Sequence, residues 1–361
     1  MLGAGVNMVV RHRTRNVRPP LARDFFRQLH NNTDNELVRL KDKNAKLYQY
    51  IHHYWKLGFD DLSREDFDLE ECFTLLEQHN KSAETRQNIA DHDRLWEITG
   101  QLTASLAGLL DDISDNQVFE EKGLGPLAER ILQEKATVVT FNYDTLLERT
   151  MLQKTKVPWD PIPAYQAPFD LYEPESMRPD DFEDFRSAKF PVQDHSAPFL
   201  KLHGSLNWFR IVGGGKPKRE PSGTYVVRHD NLEHTLVRRV SSPAPSSNRG
   251  HTLRFEDGTL LEQLIITPVL NKDVGQPHFA HIWQRAKDEL RGCRRLVVCG
   301  YSFPPTDFAT RRLFLESFSG GPPDELVVIN PDTSVVRQVK NLCHFKGPVS
   351  LYDELQEYVD A

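Results

Sequence analysis

From residue 136 onward, short apolar runs alternate with stretches of helical spacing, and the runs close on polar groups or glycines. Ala136-Thr137-Val138-Val139-Thr140-Phe141 leads into Asn142, Tyr143 and Asp144, and the run 198–202 leads into His203, Gly204 and Ser205. Val297-Val298-Cys299 leads into Gly300, Tyr301 and Ser302, and the run 326–329 leads into Asn330, Pro331 and Asp332. Continuous apolar runs mark strands buried on both faces. Their alternation with helices argues for an α/β chain, a parallel sheet with helices on its faces. Ligands of open sheets of this kind sit beyond the carboxyl ends of the strands. The polar groups fall at those ends.

Strands are expected near 136–141, 198–202, 262–267, 294–299 and 325–330, with helices near 144–152, 276–291, 306–318 and 333–342. Upstream, apolar residues recur at helical spacing: Phe25, Phe26 and Leu29, then Leu37, Leu40 and Leu47, then Leu95, Ile98, Leu102, Leu106 and Leu109. A short helix is expected over 68–76. The double proline at 19–20 stops any earlier helix. The reading is one domain over 1–361, with a helical insertion at 21–135, core segments at 136–208 and 261–361, and a β-hairpin or loop insertion at 209–260. Residues 153–197, rich in proline, aspartate and aromatics, read as a long loop. Residues 241–248 read as a mobile segment.

The chain has 361 residues, 39% hydrophobic and 27% charged, which suits a sizeable core in an ordinary soluble protein. A net charge of −7 argues against a dedicated nucleic-acid binder. No apolar stretch approaches the roughly 20 residues that span a bilayer, and the glycine loop follows Met1 too closely for a signal peptide. Cys72, Cys293, Cys299 and Cys343 form no CxxC pair, which suits a reducing cytoplasm. Cys293 and Cys299 flank an expected core strand, where a free thiol acts as a small hydrophobe.

Each polar string has two readings. Gly3-Ala4-Gly5-Val6-Asn7 suits a loop whose glycines let backbone approach a pyrophosphate, with a helix over 6–10 behind it, or it is an ordinary turn. Only Met1 and Leu2 stand where a strand must precede that loop, so the strand is very short or the start lies upstream. Arg11, Arg13, Arg15 and Arg18 read mostly as a solvated surface. Asn142 and Asp144 suit either a helix cap or ribose and water contacts. His203 is either a structural histidine or a base, with Gly204 leaving space beside its ring. His195, His229, His234 and His251 read as surface, and His52 and His53 as structural.

Taken in order, Gly3–Gly5, Thr140-Phe141-Asn142-Tyr143-Asp144, His203-Gly204, Gly300-Tyr301-Ser302 and Ile329-Asn330 resemble the motifs of the sirtuin superfamily of NAD-dependent enzymes. Arg18-Pro19-Pro20-Leu21 through Phe25-Phe26 resembles the proline-containing loop that follows the glycine turn. The resemblance implies a Rossmann-like parallel sheet with helices on both faces. Zinc-bearing deacetylases of the superfamily carry two CxxC pairs after the histidine. This chain has no cysteine between His203 and Cys293, so no zinc ribbon and no metal are expected. KLHGSLNW, GYSFPPTD and TFNYD are similar to the bacterial sirtuin-like branch, whose members hydrolyse NAD, commonly as effectors of anti-phage defence.

The resemblance implies that NAD is the substrate. It places His203, Asn142 and Asp144 in catalysis, and Gly3, Ala4, Gly5, Asn7, Gly300, Ser302 and Asn330 around the dinucleotide. It also implies self-assembly into a homo-oligomer, a partner protein in trans (a sensor, helicase/ATPase or nuclease-like subunit), or both. No membrane or direct nucleic-acid contact is expected. Two other activities stay open: a sirtuin-type deacylase or ADP-ribosyltransferase, and a non-catalytic subunit that senses NAD or ADP-ribose.

Overall fold

A computed structural model describes residues 1–32, 37–116, 123–154, 159, 164–166, 170–172, 197–213, 224–227, 252–254, 260–268, 277–304 and 307–361. After a 3-10 turn at Ala4–Val9, the first half is helical: α1 (Phe25–Asn32), α2 (Leu37–Lys43), α3 (Ala45–Trp55), α4 (Leu69–Thr85), α5 (Ile89–Asp115) and α6 (Leu124–Glu134). Local chemistry sets several ends. Asp68 accepts the Glu70 and Glu71 amides at the start of α4, and Asn88 accepts that of Asp91 at the start of α5. The expected short helix at 68–76 is the first half of α4. Lys56 and Lys135 close α3 and α6 in the left-handed region.

Strand β1 (Val138–Thr140) and helix α7 (Leu146–Lys154) follow, then the strands β2 (Asp170–Tyr172), β3 (Phe199–Lys201), β4 (Gly204–Gly213), β5 (Thr224–Val227), β6 (Thr252–Arg254) and β7 (Leu260–Ile265). The chain ends with α8 (Pro277–Gly292), β8 (Arg295–Cys299), α9 (Phe308–Ser317), β9 (Glu325–Ile329), α10 (Ser334–Leu342), β10 (Ser350–Tyr352) and α11 (Leu355–Asp360).

Leu2 decides the topology. It bridges Thr140 on one side and Cys299 on the other, both parallel. Its amide donates to the Val139 carbonyl, and the Gly3 amide to that of Cys299. A one-residue strand thus joins the β1–β3 pair to the parallel β8–β9–β10 set. The spatial order is β3–β1–Leu2–β8–β9–β10. Numbered along the chain this is 3-2-1-4-5-6, the order of a Rossmann sheet, whose direction reverses between the first and fourth strands. The crossovers run opposite ways from that point, so right-handed connection puts α6 and α7 on one face and α9 and α10 on the other. The packing agrees, since α6 meets α7 and α11 while α9 meets α8 and α10. One continuous buried cluster spans the sheet and the helical half.

A second, mixed sheet of order β2–β5–β4–β7–β6 leaves the first directly after β3. The run expected as a parallel strand near 262–267 belongs here: β7 lies antiparallel to β4. An apolar run reports burial and carries no information on strand direction, which explains the difference. In the second sheet, strand β4 begins at Gly204, before the expected 209. The stretch read as a loop over 153–197 contains β2, paired with β5. The turn behind the glycine loop is 3-10 and not α-helical. The expected mobile segment at 241–248 lies outside the described residues.

Candidate functional site

The strand-order reversal places the glycine loop against the end of β8. The Gly5 amide donates to the Gly300 carbonyl at 2.8 Å. A Cβ on Gly3 falls 2.7 Å from the Gly300 carbonyl oxygen, and one on Gly5 falls 2.8 Å from the Gly300 Cα. Gly300 itself has φ +63°, and a Cβ there stands 2.2 Å from the Val6 nitrogen. These glycines are therefore required by the protein's own backbone, a reason that motif reading alone does not supply. Ala4 is exposed between them.

The end of β1 is tied into the same loop. Asn142 donates its backbone amide to Thr140 Oγ1 and its Nδ2 to the Gly3 carbonyl, each at 3.2 Å. Asp144 is buried, and its Oδ1 accepts the Leu146 amide at 3.1 Å. Its Oδ2 accepts Asn7 Nδ2 at 2.7 Å. The cap and site readings thus coexist in one carboxylate. Burial pushes that carboxyl from an ordinary 3.8 up to about 6, against the opposing pull of the Lys201 charge. Asn7 is buried too, and its Oδ1 has no partner among the described residues.

His203 begins the switch into the second sheet. Its carbonyl accepts the Ile266 amide at 2.7 Å. Its buried ring lies 5.1 Å from that of Phe141, 6.1 Å from Tyr143 and 6.3 Å from Trp283. Trp283 donates to the Leu202 carbonyl and Tyr143 Oη to that of Ile266, which fixes two walls of this aromatic surround. Gly204 has φ +84°, and a Cβ on it falls 2.1 Å from the Leu264 carbonyl oxygen. The glycine is there for the β7 backbone, so the expected space beside the imidazole is not its purpose.

Phe141 also stacks on Tyr301 at 4.5 Å, which joins His203 to the β8 end. Tyr301 in turn donates to Asp307, which caps α9 through the Thr310 amide. At the β9 end, Asn330 donates Nδ2 to the Tyr301 carbonyl and accepts the Asp332 amide. Ser302 is exposed. Gly3, Gly5, Asn7, Asn142, Asp144, Gly300 and Asn330 therefore share one hydrogen-bonded or packed set, which His203 meets through rings.

Sequence reading passed over Lys201, Glu148, Tyr165 and Asn207. Lys201 is buried in β3, with Nζ 2.7 Å from Glu148 Oε1 and bonded to the Asp144 carbonyl. A charge between Leu200 and Leu202 in a core strand was the available signal. Two arginines expected at a solvated surface are paired: Arg18 with Asp24 and Arg15 with Asp112. His52 and His53 are exposed on α3. His195, His229, His234 and His251 lie outside the described residues. Among the described residues, no group of three His, Cys, Asp or Glu side chains is arranged to hold a metal ion.

No family model matches the chain, and no curated protein matches it. Among solved structures, a Sir2 homologue in complex with NAD is similar at 15% identity over 73% of this chain and 72% of that one, with TM-score 0.37. A mutant Sir2 homologue in complex with ADP-ribose is similar at 16% identity over 72% of this chain and 79% of that one, with TM-score 0.33. At such scores the fold assignment rests on the strand order and not on the likeness.

Proposed function

We propose that the chain is an NAD glycohydrolase, which uses water to cleave the nicotinamide–ribose bond into nicotinamide and ADP-ribose. One observation carries the reading most: a glycine loop, Asn142, Asp144, Gly300 and Asn330 converge where the strand order reverses, the place where such sheets take dinucleotides. The order of the motifs along the chain supports the same substrate.

Nicotinamide leaves as a neutral base from a cationic ring, so departure needs no general acid. The site must instead seat the ribose, exclude bulk water and present one water to an oxocarbenium-like centre. His203, set among aromatic rings, serves as general base toward that water or a ribose hydroxyl. Asn142 orients the water or hydroxyls. Asp144 supports the nicotinamide-ribose end, and Asn7 acts through Asp144. Gly3, Ala4, Gly5, Gly300, Ser302 and Asn330 hold the phosphates and the adenosine half.

Such an activity depletes a cell of NAD, so it must be restrained. We place the protein in the cytoplasm, as an effector of prokaryotic antiviral defence held in check by self-assembly or a partner in trans. Four free thiols fit a reducing compartment. Among the described residues, no helix is long and apolar enough to cross a membrane.

His203→Ala and Asn142→Ala test the roles. Each is expected to lower nicotinamide release by roughly 10²–10⁴-fold while the thermal midpoint stays near wild type. Full activity in either folded variant sinks that residue's role. NAD binding without turnover by the wild-type protein, even after assembly, favours a sensing subunit.

A further inference from the structure

Lys201 stands in a strand whose side chains are all buried, and is itself 1% exposed. A lysine there is costly, because a buried ion pair often contributes less than a well-packed apolar pair of the same volume. The charge is nonetheless held by two acceptors. Nζ donates to Glu148 Oε1 from α7 and to the backbone carbonyl of Asp144. Glu148 Oε1 also accepts the Tyr165 hydroxyl at 3.3 Å, and that hydroxyl accepts Asn207 Nδ2 at 3.2 Å. A chain of polar contacts thus runs from the turn after β1, through β3, to β4. It begins in the turn that carries Asn142 and passes through Lys201, two residues before His203.

We propose that Lys201 is a positioning residue: its ammonium group, held by Glu148, fixes the 142–144 turn relative to the end of β3, where His203 stands. The proposal rests on the reading of this site as NAD-cleaving. Buried at 1% exposure, Lys201 acts through the groups it holds. Charge reinforces the geometry, because Lys201 favours the ionised form of Asp144 and Glu148 opposes it.

The test is a pair of variants, Lys201→Met and Lys201→Met/Glu148→Gln. The second removes both buried charges and leaves an acceptor for Tyr165, so it is the one expected to fold with a thermal midpoint near wild type. It is expected to lose roughly 10–100-fold in kcat with little change in KM, because the groups are displaced but NAD is still bound. Amide exchange at residues 143–146 is expected to quicken. In the single variant, where the pull of Lys201 on Asp144 is lost, the acid limb of the pH–rate profile moves to higher pH. A folded double variant with wild-type kcat and wild-type exchange overturns the proposal. If the wild-type protein releases no nicotinamide, the hydrolase reading fails by itself. Exchange at 143–146 then decides Lys201 alone, with retained protection in the double variant counting against it.

Discussion

Asp144 shows how a single residue couples stability to pH. Its carboxyl is raised from 3.8 to about 6 by burial, so ionising it in the folded chain carries a penalty. Below pH about 4 the group is protonated whether folded or unfolded, and the penalty is absent. Above pH about 6 it is ionised in both states, and a penalty of roughly 1–3 kcal/mol is fully present. Asp144→Asn removes the charge, and the Asn7 amide can turn so that its Oδ1, without a partner among the described residues, accepts from the new amide. The variant is therefore expected to melt higher than wild type at pH 8, to match it at pH 4, and to lose NAD cleavage. Thermal unfolding at the two pH values checks this, and a variant less stable at pH 8 contradicts it. At this scale, positions were more legible than reasons. Asn142 and Asp144 were readable because a polar group after a buried strand has few places to go. The partners of Asp144 were not, because Asn7 stands 137 residues away and nothing local announces it.

The one-residue strand at Leu2 is the element on which the site depends. It can be this short because neighbours on both sides bond its backbone. Gly300 is the point of closest approach, with φ +63° and the Val6 nitrogen 2.2 Å from any added Cβ. Gly300→Ala must push the glycine loop away from β8. Left-handed strain alone costs about 1–3 kcal/mol, so a lowered thermal midpoint with weakened NAD binding is expected. Wild-type stability and binding contradict it. Strands β1, β3, β8 and β9 were legible as elements because burial on both faces writes a continuous apolar run. Strand β10 was not, since two of its three residues are exposed. The direction of β7 was illegible for a different reason: its pairing is set by the return of the chain beside β4, a tertiary fact.

On the scale of the molecule, the helical half is no appendage, because its buried residues continue into the core of the sheet. The α/β class and a largely helical first half followed from apolar spacing alone. The extent of the second sheet did not, because its strands pair across long stretches of chain, as β2 does with β5. Under the proposed function the chain cleaves NAD with water and without an acyl-lysine partner. The decisive assay is the purified protein incubated with NAD, with and without an acetylated peptide. Nicotinamide and ADP-ribose are expected in equal amounts, at a rate the peptide does not change. Nicotinamide release that appears only with the peptide would contradict it.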